Sequence, residues 1–367
     1  MSIKENKFNR YVDCFTSNNC IHSSLMFGNE NNVPNPLYSF VVPTYKRPDM
    51  LKMALESIIK QTASDIPFEI LVLDNNDDIT DNKVLEVVGK LSDPRILYYR
   101  NEKNLGACGN WNRCVQLARS KWVIFLHDDD LLMPEYLARM DEFIRRVGTK
   151  RNIGYIRAGC ISFFGDGLPD ESNIGRESKS RIGRFFDKKD KLVAFRMTSK
   201  DIYLNGGVAW FGAPTYGAVI NREAMIHVGG YDEQYSPCAD CFGGYKLMRE
   251  YEVFHTIQPT GYYRWSQNDT YNPITLAGLL NRYEEFLRFL STESLFVRFF
   301  KDCFYYDSLK WMQAKAIEAG KVFDVTTCNN YSLYKERKTR SNMLHLIQKA
   351  NKGISFVRLV KQYYNLE

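Results

Sequence analysis

Four short apolar segments in the first third of the chain each end in a polar loop, and stretches with helical spacing separate them. The segments span residues 38–42, 69–73, 96–99 and 122–126. Strands that alternate with helices in this way are typical of βαβ units and a parallel sheet. Ligands of such sheets bind outside the carboxyl ends of the strands. The sequence therefore predicts an α/β fold in which four polar loops converge on one crevice.

The fourth segment runs into three consecutive acids, Asp128, Asp129 and Asp130. Hard divalent cations such as Mg²⁺ and Mn²⁺ bind carboxylate oxygens together with the phosphates of a substrate. An acidic turn that caps the helix begun by Pro134 is the structural alternative, because Asp is favourable near a helix start. The triplet alone supports the two interpretations about equally.

Several other sequence blocks accompany the triplet in a fixed order. They are Val-Pro-Thr-Tyr-Lys-Arg-Pro at 42–48, Val-Leu-Asp-Asn at 72–75, Asn-Leu-Gly at 104–106 with Asn110, Phe-Leu-His-Asp-Asp-Asp at 125–130 with Pro134, Gly-Gly-Tyr-Asp-Glu at 229–233, Ala-Asp at 239–240 and Tyr-Arg at 263–264. In this order and spacing, the blocks resemble family 2 glycosyltransferases of the bacterial surface-polysaccharide type. The resemblance covers residues 38–270 and implies the GT-A fold, a Rossmann-like, mostly parallel sheet flanked by helices.

The resemblance implies a nucleotide-diphosphate sugar as the donor and Mn²⁺ or Mg²⁺ as the cofactor. It makes Asp74 a hydrogen-bond acceptor for the nucleotide base and puts Asp128 beside the ribose and the diphosphate. Asp129 matches the direct metal ligand of the family, whereas Asp130 binds the metal through water or holds the loop. The other nucleotide-binding residues that the family pattern implies are Pro43, Thr44, Tyr45, Arg47, Asn104 and Gly106. His127 stands where relatives often have an acid.

Sugar transfer needs a base that takes the proton of the acceptor hydroxyl, and a carboxylate usually has this role. Asp240 matches the acid that relatives have after the Gly-Gly block, and Lys246 matches the basic residue that follows it. A base on the face opposite the leaving group would invert the anomeric centre. A structural helix cap is the alternative role for Asp240. Gly243 and Gly244 stand where relatives have helix formers, so we expect this helix to start late or to bend.

The family pattern assigns Asp232 and Glu233 to the pocket for the acceptor and the donor sugar, although the paired glycines before them also predict a tight turn. Trp210 is an acceptor candidate because aromatic faces stack on sugars, and a core tryptophan is the alternative. Arg264 could supply a cation to the diphosphate, because its planar fork suits phosphate oxygens. Ser266 stands two residues later, where relatives frequently have a histidine.

Composition divides the chain into a loosely docked arm over 1–36, the GT-A domain over 37–270 and a helical, basic extension over 271–367. The arm is rich in Asn and Ser and has only scattered apolar residues. The segment 335–361 carries eight Lys or Arg and a single acid, with apolar residues at helical spacing between them. This pattern predicts a helix on an anionic membrane surface, or equally a helix packed on the core or on a second subunit of a homodimer.

The composition is typical of a cytoplasmic enzyme, and 44% apolar residues in a chain of 367 are ample for a buried core. Apart from Cys238 and Cys241, the nine cysteines include no pair with metal spacing, and their odd number predicts reduced thiols. No segment approaches the roughly twenty apolar residues of a spanning helix, so a peripheral position on the inner face is the expected form of membrane contact. The basic charge lies at one terminus without a reader motif, which argues against nucleic acid as a partner.

Together these features predict a metal-dependent, inverting glycosyltransferase. It would move a sugar from a nucleotide donor to a hydroxyl of a glycan acceptor, such as a lipid-linked O-antigen or capsule unit. A catalytically silent nucleotide-sugar-binding scaffold of the same fold is the alternative. A nucleotidyltransferase would need a basic, glycine-rich loop after the first strand, which the sequence does not have. The donor base, the sugar and the linkage are not fixed by the sequence.

Overall fold

A computed structural model describes residues 8, 10–63, 65–148, 151–174, 191–206, 215–265, 272–318, 320–328, 330–334 and 337–363, with side chains up to residue 352. The strands are β1 (Ser23–Phe27), β2 (Tyr38–Thr44), β3 (Phe68–Asp74), β4 (Ile96–Asn101), β5 (Trp122–Phe125), β6 (Leu131–Leu132), β7 (Ile153–Phe163), β8 (Ala194–Met197), β9 (Ala218–Asn221) and β10 (Glu252–Arg264). The helices are α1 (Pro48–Ile59), α2 (Lys83–Leu91), α3 (Gly106–Leu117), α4 (Tyr136–Gly148), α5 (Ser199–Leu204), α6 (Arg222–His227), α7 (Ala239–Glu250), α8 (Pro273–Glu293), α9 (Leu295–Glu318) and α10 (Lys338–Tyr363).

One mixed sheet joins these strands in the order β1-β4-β3-β2-β5-β9-β7-β10-β6, and β8 pairs with β10. The strands β4, β3, β2 and β5 are parallel neighbours, with Val42 opposite Val72 in the register of β2 and β3. They correspond to the four apolar segments of the sequence. Every residue of β2 and β3 is buried, which explains why apolar residues predominate in both strands.

Helices cover both faces of the parallel part of the sheet. Because successive side chains of a strand point to opposite faces, neighbouring residues of β2 enter different cores. Val42 belongs to the apolar cluster that contains Leu51 and Leu55 of α1, whereas Val41 belongs to the cluster that contains Val115 of α3. This two-sided cover leaves the carboxyl ends of the four strands as the place where polar loops emerge.

The segment before β2 differs from its prediction. Strand β1 pairs antiparallel with β4 at the edge of the sheet, and the amide of Cys14 donates a hydrogen bond of 3.0 Å to the carbonyl of Gly229. The ring of Phe8 is 4% exposed. It packs against the rings of Tyr235, Phe242, Phe286 and Phe289, with centroid distances of 5.1–5.5 Å. The expectation of a loosely docked arm was therefore wrong for the described part of this segment, because backbone pairing and a few aromatic contacts hold it.

Three C-terminal helices pack together and against α7. Their shared apolar cluster includes Phe242 and Tyr245 of α7 with Phe286 and Phe289 of α8 and Phe300 of α9. Among the described helices, none is both long and apolar enough to cross a membrane. The division of the chain at residue 271 stays a prediction, since these helices share a core with α7.

The packing of Phe8 gives a test of whether the N-terminal segment is firmly docked. We expect Phe8→Ala to lower the free energy of unfolding by about 3 kcal/mol, because it removes a buried ring from an aromatic cluster. Urea denaturation followed by circular dichroism measures this change. Leu25→Ala on β1, where the side chain is 41% exposed, is the control and should change stability by less than about 0.5 kcal/mol. Equal, small effects of the two variants would mean that the segment is loosely docked.

Candidate active site

The loops after β2 and β5 are joined directly by side chains. The hydroxyl Oγ1 of Thr44 donates a hydrogen bond of 2.7 Å to Oδ2 of Asp128. Nη1 of Arg47 lies 3.2 Å from Oδ2 of Asp129 and 3.8 Å from Oδ1 of Asp128. These contacts follow from the sheet, because β2 and β5 are adjacent parallel strands whose carboxyl ends lie side by side.

The loops after β3 and β4 meet at Asn75. Its Nδ2 donates to Oδ1 of Asn104 at 2.8 Å, and its Oδ1 accepts from the amide of Leu105 at 2.8 Å. The amide of Asn75 also donates to the carbonyl of Thr44 at 2.9 Å. Gly106 begins α3 with a φ of +69°, a conformation that favours glycine. The predicted convergence of the four loops is therefore present in the structure.

Asp74, the predicted base-binding acid, lies at the end of β3 and is fully buried. Its carboxylate accepts hydrogen bonds from the amide of Asn76 at 2.9 Å and from the hydroxyl of Tyr98 at 3.0 Å. Nε of Arg100 lies 3.8 Å away. Burial is the main cause that raises the pKa of Asp74 above its ordinary value. Contact of Asp74 with a nucleotide base stays a prediction.

Tyr98 and Arg100 are residues that the sequence analysis missed. They stand two positions apart on β4, so their side chains leave the same face of the strand. Nε of Arg100 donates to the hydroxyl of Tyr98 at 3.0 Å, and Tyr98 in turn donates to Asp74. One signal in the sequence could have found these two residues: β4 is an apolar strand with a polar end, and it follows β3 in the chain.

The acidic triplet is buried rather than solvated. Asp128, Asp129 and Asp130 are 6%, 8% and 0% exposed. Burial, followed by the charge of Asp129, raises the pKa of Asp128 to about 7. The same two causes raise the pKa of Asp130 well above its ordinary value. Since α4 begins at Tyr136, the triplet does not cap a helix, and the turn places three carboxyl groups away from water.

Asp130 and Arg264 hold this acidic turn from behind. Oδ1 of Asp130 accepts a hydrogen bond of 2.9 Å from the amide of Arg264, whose Nε donates to the carbonyl of Asp129 at 2.9 Å. Nη1 of Arg264 donates to the carbonyls of Gly165 and Gly167. Arg264 is 0% exposed, and burial lowers the pKa of its guanidinium. The structure thus gives Arg264 a role in holding the acidic turn, and its predicted contact with the diphosphate stays a prediction.

The carboxylates of the acidic turn are the candidate ligands of a divalent cation. Two carboxylates, those of Asp128 and Asp129, already share one positive group, since Oδ1 of Asp128 and Oδ2 of Asp129 lie 3.8 and 3.2 Å from the same guanidinium nitrogen of Arg47. In the described part of the chain, no group of three or more His, Cys, Asp or Glu residues forms a complete metal site. This donor set fits a cation such as Mg²⁺ or Mn²⁺, which keeps water and takes phosphate oxygens from its substrate. Oδ1 of Asp130 accepts from Arg264, whereas its buried Oδ2 has no hydrogen-bond partner among the described residues, so the predicted role of Asp130 at the metal stays a prediction.

Asp240 lies in the first turn of α7, and its Oδ1 accepts a hydrogen bond of 2.8 Å from the amide of Cys241. Burial raises the pKa of Asp240 to about 6, and the positive charge of Arg157 acts in the opposite direction. A carboxylate with this pKa is ionised at neutral pH and is a stronger base than an exposed aspartate. Arg157, on β7, is a further residue that the sequence analysis missed.

The helix that carries Asp240 neither starts late nor is interrupted at its glycines. It runs over Ala239–Glu250 and includes Gly243 and Gly244. A Cβ on Gly243 would lie 3.1 Å from ring carbons of Tyr231, so glycine lets the helix approach that ring closely. The expected late start was wrong because packing against Tyr231 outweighs the low helix propensity of glycine.

The turn before α7 has the geometry that its paired glycines predict. Gly229 and Gly230 have φ values of +86° and +77°. Oδ1 of Asp232 accepts a hydrogen bond of 3.0 Å from the amide of Gln234 and so caps a short 3₁₀ helix over Glu233–Tyr235. Glu233 is exposed and faces the start of α3, where a Cβ on Gly106 would lie 3.9 Å from its Oε2. The turn role of this block is observed, and substrate contact by Asp232 and Glu233 stays a prediction.

The remaining predicted residues lie around the same loops or outside the described ranges. Pro43 is buried within β2, and Tyr45 is 43% exposed at the start of the first loop. His127 is half-buried, and its Nε2 lies 2.7 Å from the hydroxyl of Thr215. Trp210 and Ser266 lie outside the described residues, so their predicted roles stay predictions.

Comparison with known proteins supports the fold and the family. Residues 39–207 match the model of glycosyl transferase family 2. An uncharacterized glycosyltransferase of Methanocaldococcus jannaschii is 36% identical over 167 residues, which cover 44% of this chain and 53% of that protein. The GalNAc(5)-diNAcBac-PP-undecaprenol beta-1,3-glucosyltransferase of Campylobacter jejuni is 29% identical over 191 residues, which cover 48% of this chain and 59% of that protein. The matches thus span little more than half of these relatives.

A solved structure shows the same fold over most of the chain. Residues 1–349 of TarS from S. aureus, in complex with UDP, give a TM-score of 0.51 at 17% identity, with 90% of this chain and 92% of that chain covered. The predicted GT-A fold and the resemblance to family 2 glycosyltransferases are confirmed.

Proposed function

We propose that the chain is a metal-dependent, inverting glycosyltransferase that transfers a sugar from a nucleoside diphosphate donor to a hydroxyl of a glycan acceptor. The proposal rests on one observation above all: four polar loops meet around the buried carboxylates of Asp128 and Asp129, at the carboxyl ends of β2–β5. A nucleotide-sized ligand binds at this place in open α/β sheets. The family 2 match over residues 39–207 supports sugar transfer as the reaction.

In the proposed reaction, the oxygen of the acceptor hydroxyl forms a bond to the anomeric carbon while the bond from that carbon to the diphosphate oxygen breaks. Asp240 takes the proton of the hydroxyl, and a single displacement of this kind inverts the anomeric centre. Asp128 and Asp129 would hold Mn²⁺ or Mg²⁺. When bound, such a cation supplies Lewis-acid neutralisation of the departing diphosphate. Thr44 holds the carboxylate of Asp128, and Arg264 holds the backbone of Asp129.

We propose a glycan on a lipid carrier as the acceptor. The printed name of the Campylobacter jejuni relative describes an undecaprenyl-diphosphate glycan as its substrate, and an Escherichia coli relative, 32% identical over 104 residues, is a putative colanic acid biosynthesis glycosyl transferase. These names support surface-glycan assembly as the setting.

Helix α10 has a surface that suits an anionic membrane. Leu344 is fully buried in the C-terminal cluster, whereas Met343 and Leu346 are 44% and 68% exposed. Arg340 lies one turn before Met343, and Lys349 lies one turn after Leu346. Exposed apolar residues between cations are the pattern of a helix that binds anionic lipid at its surface. We propose that this helix brings the enzyme to the membrane that carries its acceptor.

Binding of nucleotide is the first test of the proposed function. In thermal denaturation, we expect one of UDP, GDP or TDP, at saturating concentration with Mn²⁺, to raise the melting temperature by about 5 °C, because a ligand of the native state stabilises it by mass action. The shift should disappear in Asp129→Asn. Asp77→Asn removes an exposed acid from the loop after β3 and should leave the shift unchanged. No shift with any nucleotide would contradict the proposed function, and a shift without sugar transfer would identify a silent scaffold.

The pKa of Asp240 predicts the pH dependence of sugar transfer. The base acts in its ionised form, so we expect kcat to fall as the pH decreases through about 6, the value to which burial raises the pKa of Asp240. Asp240→Asn should lower kcat by about 10²–10⁴-fold and abolish this acidic limb while nucleotide binding persists. Because the charge of Arg157 lowers the pKa of Asp240, Arg157→Gln should move the limb to higher pH. An unchanged pH profile in Asp240→Asn would mean that another group is the base.

Vesicle flotation tests the proposed membrane surface. We expect binding to vesicles that contain phosphatidylglycerol and not to vesicles of phosphatidylcholine alone, because attraction to anionic lipid contributes about 1 kcal/mol per basic residue near the surface. The double variant Met343→Ser and Leu346→Ser should weaken binding by about tenfold. Leu333→Ser, which changes a leucine that is 64% exposed elsewhere, is the matched control. A dimer in sedimentation that the double variant dissociates would instead identify a subunit interface.

A further inference from the structure

Arg47 is the one basic side chain that contacts the carboxylates of both Asp128 and Asp129 among the ion pairs of the described residues. Its Nη1 lies 3.2 Å from Oδ2 of Asp129 and 3.8 Å from Oδ1 of Asp128. The side chains of the two acids are 8% and 11% exposed, whereas that of Arg47 is 34% exposed. The guanidinium therefore lies on the solvent side of two enclosed negative charges.

The turn that carries the two acids is held by residues other than Arg47. Asp128 accepts a hydrogen bond from Thr44, and the backbone carbonyl of Asp129 accepts one from the buried guanidinium of Arg264. Arg47 immediately precedes the first residue of α1 and is a long, partly exposed side chain. A change of its rotamer would therefore leave these other contacts of the acidic turn in place.

We propose that Arg47 holds the place of the divalent cation between Asp128 and Asp129 in the free protein, and that it moves to the diphosphate of the donor when cation and nucleotide bind. This inference rests on the proposed function and adds an exchange of partners to it. A guanidinium and a divalent cation repel each other at such short distances, so both cannot neutralise the same two carboxylates. Two parallel N–H donors suit phosphate oxygens, which gives the displaced guanidinium a partner within the same crevice.

The exchange predicts that Arg47 weakens binding of the cation alone and strengthens binding of the nucleotide. The two effects have opposite signs, whereas an arginine that only stabilises the loop would weaken both when it is removed. The exchange also makes cation and nucleoside diphosphate bind cooperatively, because the diphosphate offers the guanidinium a new partner. By linkage, each ligand then raises the affinity for the other by the same factor.

The expected effect of Arg47 on binding of the cation alone is tested by titration with Mn²⁺ in the absence of nucleotide. The electron paramagnetic resonance signal of free Mn²⁺ reports how much of the cation is bound. We expect Arg47→Gln to bind Mn²⁺ about tenfold more tightly than the wild type, since the competing cation is gone. Arg47→Lys keeps the positive charge and should stay near the wild type. Lys46→Gln removes the same charge one residue away, from a side chain that contacts the ring of Tyr45, and should also stay near the wild type. Equal affinities of Arg47→Gln and the wild type, including no binding by either, would overturn the inference.

The expected effect of Arg47 on nucleotide binding is tested by calorimetric titration with a nucleoside diphosphate at saturating Mn²⁺. The nucleotide is the one that gives a thermal shift with the wild type. We expect Arg47→Gln to bind it at least about tenfold more weakly, the effect of losing a charge-assisted hydrogen bond. Unchanged nucleotide affinity would contradict the movement of Arg47 to the diphosphate. Failure of the wild type to bind any nucleotide would reject the proposed function, whereas the Mn²⁺ titration would still decide whether Arg47 occupies the place of the cation.

Discussion

Buried negative charge at the end of β5 is the constraint on which the rest of the site depends. Three adjacent carboxylates that are at most 8% exposed would be strongly unfavourable without compensation. Polar and positively charged groups from different parts of the chain supply this compensation. Thr44 approaches from the loop after β2, Arg264 from the end of β10 and Arg47 from the start of α1. The acidic turn thus fixes the relative positions of elements that are more than one hundred residues apart in sequence.

The sheet makes this arrangement possible. Adjacent parallel strands deliver their carboxyl ends to one edge, and helices on both faces leave that edge open. The remaining strands add support from the other side, since β10 pairs with β7 and ends at Arg264, directly behind the acidic turn. Function at this edge therefore depends on pairings that lie outside the four parallel strands.

The sequence was sufficient to predict the parallel strands and the loops that follow them. Fully buried strands are continuous apolar runs, and their polar ends stand out, so Thr44, Asp74 and the acidic triplet could be found in this way. Contacts made by the backbone, or by single polar residues within strands, could not be predicted from the sequence. The pairing of β1 with β4 uses main-chain groups that any sequence has. Arg100 lies in the polar end of β4 without any sign of its partner, and Arg157 looks like an isolated interruption of an apolar strand. The role of Gly243 depends on Tyr231, which only the folded chain places next to it.

The position of Asp240 links the acidic edge to the C-terminal helices. Ala239 and Leu247 of α7 pack into the core beneath the sheet, whereas Phe242 and Tyr245 pack against α8 and the segment around Phe8. The helix that carries the proposed base is thus held between two cores, one built by the sheet and one by the C-terminal helices. Helix α10 packs on α9, and α9 packs on α8, so the helix with the proposed membrane surface belongs to the same bundle that supports the helix of the proposed base.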